Sequence, residues 1–348
     1  LEDVAEFLVS SDSREGDGDQ QKVCIAKVSG SRKLDLDIIL PTPRFSSLPV
    51  KEILEYNVER IKEIVEAHTT TLVFVNTRQM TETVVQKLKI AGTAGVEGHH
   101  GSMDKAIRLD VEQRLKYGKL RCVVSSSSLE MGIDIGSVDC VVQVGSPGSI
   151  ATALQRIGRA GHQVGGLPRA RLLPTSPQDL LEIVALQNGI LRGSMDLLKF
   201  PQNGLDVLAQ FLIGLTIIKE WDIDDGYELV IRSWPYRNLP YDDYIEVLDL
   251  LEEERRIWVD WEENRFGKRG YAQMIYFTNI GTIAPDNNYL VFTADGTLVG
   301  QLSSGFVASL RNGDVFLLGG STYRVSSVQG TRVNVTSATG YRPTIPSW

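Results

Sequence analysis

Apolar residues in the first half of the chain fall into two alternating kinds of run. Val50 to Ala67 places Ile53, Leu54, Ile61, Ile64 and Val65 at a helical period. Thr71 to Val75 is instead a short continuous apolar run of the kind a buried strand needs. The exchange repeats: a helix to about Ala91, a short strand near Val96, a helix from Met103 to Tyr117, and apolar strands at Leu120 to Val124 and Cys140 to Val144. A helix over "QRIGRAGH" follows the last of them. This is the βαβ rhythm of a parallel sheet. Upstream, Leu1 to Leu8 reads as a helix and Ser11 to Gln21, rich in Asp, Gly and Ser, as a surface loop, with strand-like runs at Lys22 to Val28 and Leu34 to Leu40. Downstream of Pro174-Thr175-Ser176-Pro177 the chain turns helical, best over Asp179 to Leu191 and Leu205 to Glu220. Three helical segments and a short hairpin between Phe200 and Phe266 suggest a winged-helix module. From Tyr271 onward, short β runs broken by Asn287-Asn288, Asp295-Gly296, Asn312-Gly313-Asp314, Gly319-Gly320 and Gln329-Gly330 suggest a small antiparallel β-barrel.

Composition narrows the class. A chain of 348 residues exceeds what one core usually serves, so several domains are expected. No apolar run reaches the roughly 20 residues of a membrane helix, which speaks against a membrane partner. Cys24, Cys122 and Cys140 have neither metal-ligand spacing nor an even count, and read as reduced thiols of a cytosolic protein. The net charge of −8 argues against a nucleic-acid binder only until its distribution is read. Residues 204–263 carry 16 acidic and 5 basic side chains, whereas those after Glu263 carry 7 basic and 3 acidic, and Ala151 to Arg171 has four arginines and no carboxylate. The acidic load is local. The helix expected over Tyr241 to Arg256 is too acidic to read a DNA groove, so the winged-helix module is expected to brace rather than bind.

The candidate chemistry clusters where apolar strands run into polar loops. Arg156 and Arg159 stand three apart in a helical segment, a spacing that lets both guanidinium forks reach one polyphosphate. Cys122 to Val124 leads into Ser125 to Ser128, and Thr71 to Val75 into Asn76, Thr77 and Arg78, where the next helix supplies an N-terminus suited to phosphate. A plain helix cap is the competing use of these residues. His99-His100-Gly101-Ser102 is read as a loop whose backbone approaches a phosphate. Metal is disfavoured, because adjacent histidines on a strand face opposite ways and no third ligand accompanies them.

Taken in order, these stretches resemble the motifs of the second RecA-like domain of superfamily-two helicases. "SSSSLEMGIDIGSVDCVVQVGSP", "QRIGRAGH", "NGLDVLAQ", "YRNLPYDDY", "NIGTI" and "GDVFLLGG" are similar to the Lhr-type (large helicase-related) branch of that superfamily. The resemblance implies an α/β fold: the tail of a first RecA-like domain and a linker over 1–45, the second RecA-like domain over 46–200, a winged-helix module over 201–266 and a β-barrel-like domain over 267–348. It implies ATP with Mg as cofactor, the metal being held mainly by a first RecA-like domain, since this chain contains no G-x-x-x-x-G-K-[ST] loop. Arg156, Arg159 and Gln155 are then the catalytic set, with Gly132 and Asp134 nearest the nucleotide. Asn76, Thr77, Arg78, His100, Gly101, Ser102, Ser126, Ser127 and Trp348 are the nucleic-acid contacts, Trp348 through stacking on a base. The implied activity is ATP-dependent 3′ to 5′ translocation on single-stranded or forked DNA in repair or recombination, in the cytoplasm, nucleoid-associated in a prokaryote. An RNA helicase and a non-motor nucleic-acid-binding scaffold remain as alternatives, because backbone contacts do not distinguish the sugars.

Overall fold

The structure is a computed structural model that describes residues 2–8, 24–26, 33–131, 135–161, 167–197, 199–281, 288–341 and 343–346. The chain divides into two compact units, Leu1–Gly30 with Leu197–Pro285, and Ser31–Asp196 with Asp286–Trp348. Among the described residues no helix is long and apolar enough to cross a membrane.

The chain enters through α1 (Glu2–Leu8), which belongs to the first of these units. The second unit opens with β1 (Asp35–Ile38) and α2 (Val50–Ala67), followed by β2 (Thr71–Phe74), α3 (Arg78–Ile90), β3 (Val96–His99), α4 (Lys105–Lys116), β4 (Cys122–Ser125), β5 (Cys140–Val144), α5 (Ile150–Ile157), β6 (Arg169–Leu173) and α6 (Pro177–Leu191). Six strands form one wholly parallel sheet in the order β1-β6-β5-β2-β4-β3. Its inner strands are continuous apolar runs because both faces are covered. Leu72, Phe74, Val123 and Val141 point into a core shared with Val111, Ile157 and Ile183. The alternate residues Val73, Val124 and Val142 meet Ile61, Val65, Val84 and Val85 on the opposite face. Helix starts are set by side-chain caps: Thr77, Asp104, Ser149 and Ser176 each accept from the backbone N–H of the residue two or three positions on. Residues 35–38 lie in the stretch expected as tail and linker; they instead supply the sheet's edge strand, with Asp35 accepting from both terminal nitrogens of Arg171 at 2.9 and 3.1 Å. That hydrogen bond is the main reason the Asp35 carboxyl is held below its ordinary range.

The first unit continues with α7 (Leu205–Ile218), β7 (Trp221–Asp222), α8 (Ile223–Ile231), α9 (Tyr241–Glu253), β8 (Ile257–Asp260), β9 (Arg265–Lys268) and α10 (Ala272–Thr278). Three helices and the antiparallel sheet β7-β9-β8 make a winged helix around Leu208, Leu212, Tyr244, Leu248 and Phe266. Helix α10 lies where β structure was expected to begin. Ala272, Ile275 and Tyr276 give it an apolar face, and Gly214 of α7 makes room: a Cβ there would sit 2.6 Å from the Tyr276 ring.

The last segment, β10 (Tyr289–Thr293), β11 (Leu298–Leu302), α11 (Ser304–Ser309), β12 (Val315–Leu318), β13 (Ser321–Gln329) and β14 (Arg332–Ser337), belongs to the second unit. Its five strands curl in the order β11-β10-β14-β13-β12 around Val291, Phe316, Val325 and Val333. The pairs are antiparallel except β10 with β14, which run parallel.

Candidate functional site

The loops singled out from the sequence leave the carboxyl ends of β2, β3 and β4, so a single edge of the parallel sheet carries them. This is the edge at which open α/β sheets place their ligands. Asn76, Thr77 and Arg78 are exposed there. Thr77 is the α3 cap, its Oγ1 accepting from Met80 N at 3.1 Å. Arg78 donates from Nη1 to Ser102 Oγ at 2.8 Å, which fixes an exposed guanidinium over the neighbouring loop. Asn76 donates to the Ser146 carbonyl at 2.7 Å and so ties the end of β2 to the end of β5.

His100 is not available to a nucleic acid. Its side chain is fully buried, with Nε2 2.8 Å from Glu82 Oε1. Ser102 is also buried, its N–H donating to His100 Nδ1 at 3.3 Å. Of the three loop residues expected to meet a phosphate, Gly101 alone is exposed, and nothing lies within 4 Å of where its Cβ would be. His99 faces the other way, as the strand period demands. It is held by Ser128 Oγ at Nδ1 (2.6 Å) and by Glu112 Oε1 at Nε2 (2.9 Å). Burial pushes the His99 pKa below its ordinary value, against the pull of Glu112. Of the serines after β4, Ser127 is exposed, Ser126 is buried and Ser128 is spent on His99.

The arginine pair is built differently from its spacing. Helix α5 ends at Ile157 with Gly158 as its cap, so Arg159 sits beyond the helix, in a turn where its N–H donates to Arg156 O at 3.0 Å. Arg156 is turned into the domain. Its Nε and Nη2 donate to Glu130 Oε2 at 3.1 and 3.0 Å, its Nη1 to Gln143 Oε1 at 2.9 Å, and its guanidinium stands 5.2 Å from the Phe74 ring centroid. A carboxylate 26 positions upstream takes the fork assigned to a phosphate. Gln155 is exposed and Arg159 half-buried. Among the described residues no group of three His, Cys, Asp or Glu side chains converges to hold a metal. Gly132, Asp134 and Trp348 lie outside the described residues.

Glu82, Glu130 and Gln143 escaped the reading of the sequence. Gln143 carried a signal: a polar residue inside the buried run Cys140 to Val144 has to find a partner, and Arg156 is that partner.

A sheet of this topology, with polar loops at its carboxyl edge and a glycine-arginine turn after α5, is a helicase-type RecA-like domain; residues 56–163 match the family model of the helicase conserved C-terminal domain. Residues 188–345 match that of the large helicase-related protein winged helix domain. The chain belongs to the large helicase-related (Lhr) family. It is 43% identical to the ATP-dependent helicase Lhr-Core of Methanothermobacter thermautotrophicus over 100% of this chain and 42% of the relative. With the Lhr-Core of Methanocaldococcus jannaschii the figures are 40%, 100% and 41%. The solved structure of Mycobacterium smegmatis helicase Lhr bound to ssDNA and AMP-PNP is similar at a TM-score of 0.72 and 35% identity, over 82% of this chain and 37% of that one. The chain thus spans about two fifths of the length of these relatives.

Proposed function

We propose that this chain is the second motor lobe, with accessory domains, of an ATP-dependent DNA helicase or translocase acting on single-stranded or forked DNA. The observation that carries the reading is the gathering of Asn76 to Arg78, Gly101, and Ser126 with Ser127 at the carboxyl edge of one parallel sheet. These groups are a guanidinium, a helix N-terminus, an open glycine backbone and hydroxyls, all of which suit phosphate rather than base edges. A motor that must step along any sequence needs that kind of contact. The likeness to a helicase solved with ssDNA and AMP-PNP supports the same assignment.

On the nucleotide side, bound ATP with its Mg supplies the free energy of phosphoanhydride cleavage. Arg159 is the residue assigned to the phosphates, and Gln155, Gly132 and Asp134 are assigned to the same nucleotide. Arg156 supports Arg159 from beneath, by fixing the end of α5 against Glu130 and Gln143. Trp348 is assigned to base stacking. A 3′ to 5′ direction and a role in repair or recombination are part of the same proposal.

ATP hydrolysis by the whole protein, measured with matched single-stranded DNA and RNA and with duplexes carrying a 3′ or a 5′ tail, tests the reading. Stimulation by DNA and unwinding from the 3′ tail are expected. Stronger stimulation by RNA would move the assignment to an RNA helicase, and indifference to both would leave a scaffold.

A further inference from the structure

The β10–β14 sheet grips the loop between β3 and α4 along two seams. The first runs through Glu82 of α3. Its carboxylate is fully buried and accepts from the backbone N–H groups of Gly319 and, at 2.8 Å, Gly320, while Oε1 also meets His100 Nε2 at 2.8 Å. Gly319 and Gly320 have φ of +60° and +70°. Two successive residues in the left-handed region turn their N–H groups toward one side and form a concavity that fits an anion. Glycine is the residue that takes this turn without strain.

The second seam joins backbone to backbone. Gln301 N donates to Ser102 O at 2.8 Å, Asp104 N donates to Val299 O at 3.1 Å, and Met103 faces Gly300 in an antiparallel bridge. A Cβ on Gly300 would stand 2.5 Å from Ser102 O, so this approach requires glycine. The loop is in effect an added strand on the edge of β11. Its shape is then passed on: Ser102 Oγ accepts from Arg78 Nη1 at 2.8 Å, and Gly101, next to the bridge, keeps its open face.

We propose that Glu82 is a positioning residue and that the β10–β14 sheet is a clamp that holds the loop 99–104, and through it Arg78 and the Gly101 backbone, in the shape that receives a phosphate of the bound strand. The sheet meets α3 through Glu82 and Lys89, and beyond those helix contacts it bonds the carbonyl and N–H groups of the loop itself, at Ser102 O and Asp104 N. The clamp rests on the assignment of this loop to single-stranded DNA given above.

The test uses the whole protein and the concentration of single-stranded oligonucleotide that gives half-maximal ATP hydrolysis. Glu82→Gln removes the charge that Gly319 and Gly320 converge on, and Gly300→Ala forces the second seam apart from the other side while leaving Glu82 in place. Each variant is expected to raise the half-saturating concentration roughly 3- to 30-fold, as changes along a coupled network do. The rate at saturating oligonucleotide and the KM for ATP should stay as in the wild type, a split that plain loss of folded protein would not produce. The double variant should be no worse than the weaker single one by more than about twofold, since both cut one device. If Glu82→Gln does not fold, Gly300→Ala carries the same outcomes. Unchanged half-saturation in the variants, with Arg78→Ala raising it, would overturn the clamp alone. Unchanged half-saturation in Arg78→Ala, or a wild type that DNA does not stimulate, would overturn the assignment of the loop and the clamp with it.

Discussion

The Arg156 guanidinium and the Glu130 carboxylate meet at 3.0 Å inside the parallel-sheet domain, with side-chain exposures of 8% and 15%. Both charges are largely out of water, and the geometry is closed by Gln143 at 2.9 Å. Removing one member of such a pair leaves the other charge buried without compensation, a loss of about 3 to 5 kcal/mol. Arg156→Ala should therefore lower the unfolding free energy obtained from urea denaturation by an amount in that range, whereas the double change Arg156→Met with Glu130→Leu should recover part of it. Equal stability of Arg156→Ala and wild type would remove the pair from the account of the fold.

The environment of His99 makes the same region sensitive to acid. Its folded pKa lies below 6.5, chiefly through burial. Below that value the unfolded chain takes up a proton that the folded chain refuses, so the unfolded state gains as pH falls. The stabilisation is fully present above pH 6.5 and is lost on descending from there through the depressed folded value. Amide exchange in β3 and β4, followed between about pH 8 and pH 5, should show protection falling at the acid end in the wild type and much less in His99→Gln. Identical profiles in the two proteins would refute the assignment.

Thiol chemistry reports on one covered face of the sheet, where Cys122 and Cys140 both lie. Burial pushes the Cys122 thiol up to about 12 and the Cys140 thiol up to about 11. Cys24 is exposed. The thiolate is the reactive form, so an alkylating reagent near neutral pH should modify one thiol in the native protein and all three after unfolding. Rapid modification of Cys122 in the folded chain would contradict its place in the core.

The strands of the parallel sheet were legible because double-sided burial writes itself as unbroken apolar runs, as in Thr71 to Val75 and Cys140 to Val144. The winged helix was legible from three helical segments and a hairpin. What the local pattern does not contain is a partner far along the chain. Glu82 lies 18 residues from His100 and 237 from Gly319, and neither distance leaves a periodic trace. That is why His100 read as a surface contact and turned out to be a core residue. Spacing also does not say which way a side chain is drawn, and Glu130, 26 positions upstream, draws the Arg156 fork inward. The seven residues of α10 are too few to establish a period against the turn-rich sequence that follows them.

In the proposed motor lobe Arg159 serves the nucleotide phosphates and Arg156 serves the fold. Steady-state ATP hydrolysis and nucleotide binding in the whole protein carrying Arg159→Ala separate the two roles. An arginine that stabilises charge at the transferred phosphoryl group contributes roughly 10³- to 10⁵-fold. Hydrolysis in the presence of single-stranded DNA is expected to fall by about three orders of magnitude or more, with nucleotide affinity close to that of the wild type. Hydrolysis at the wild-type rate in Arg159→Ala would contradict the role given to Arg159.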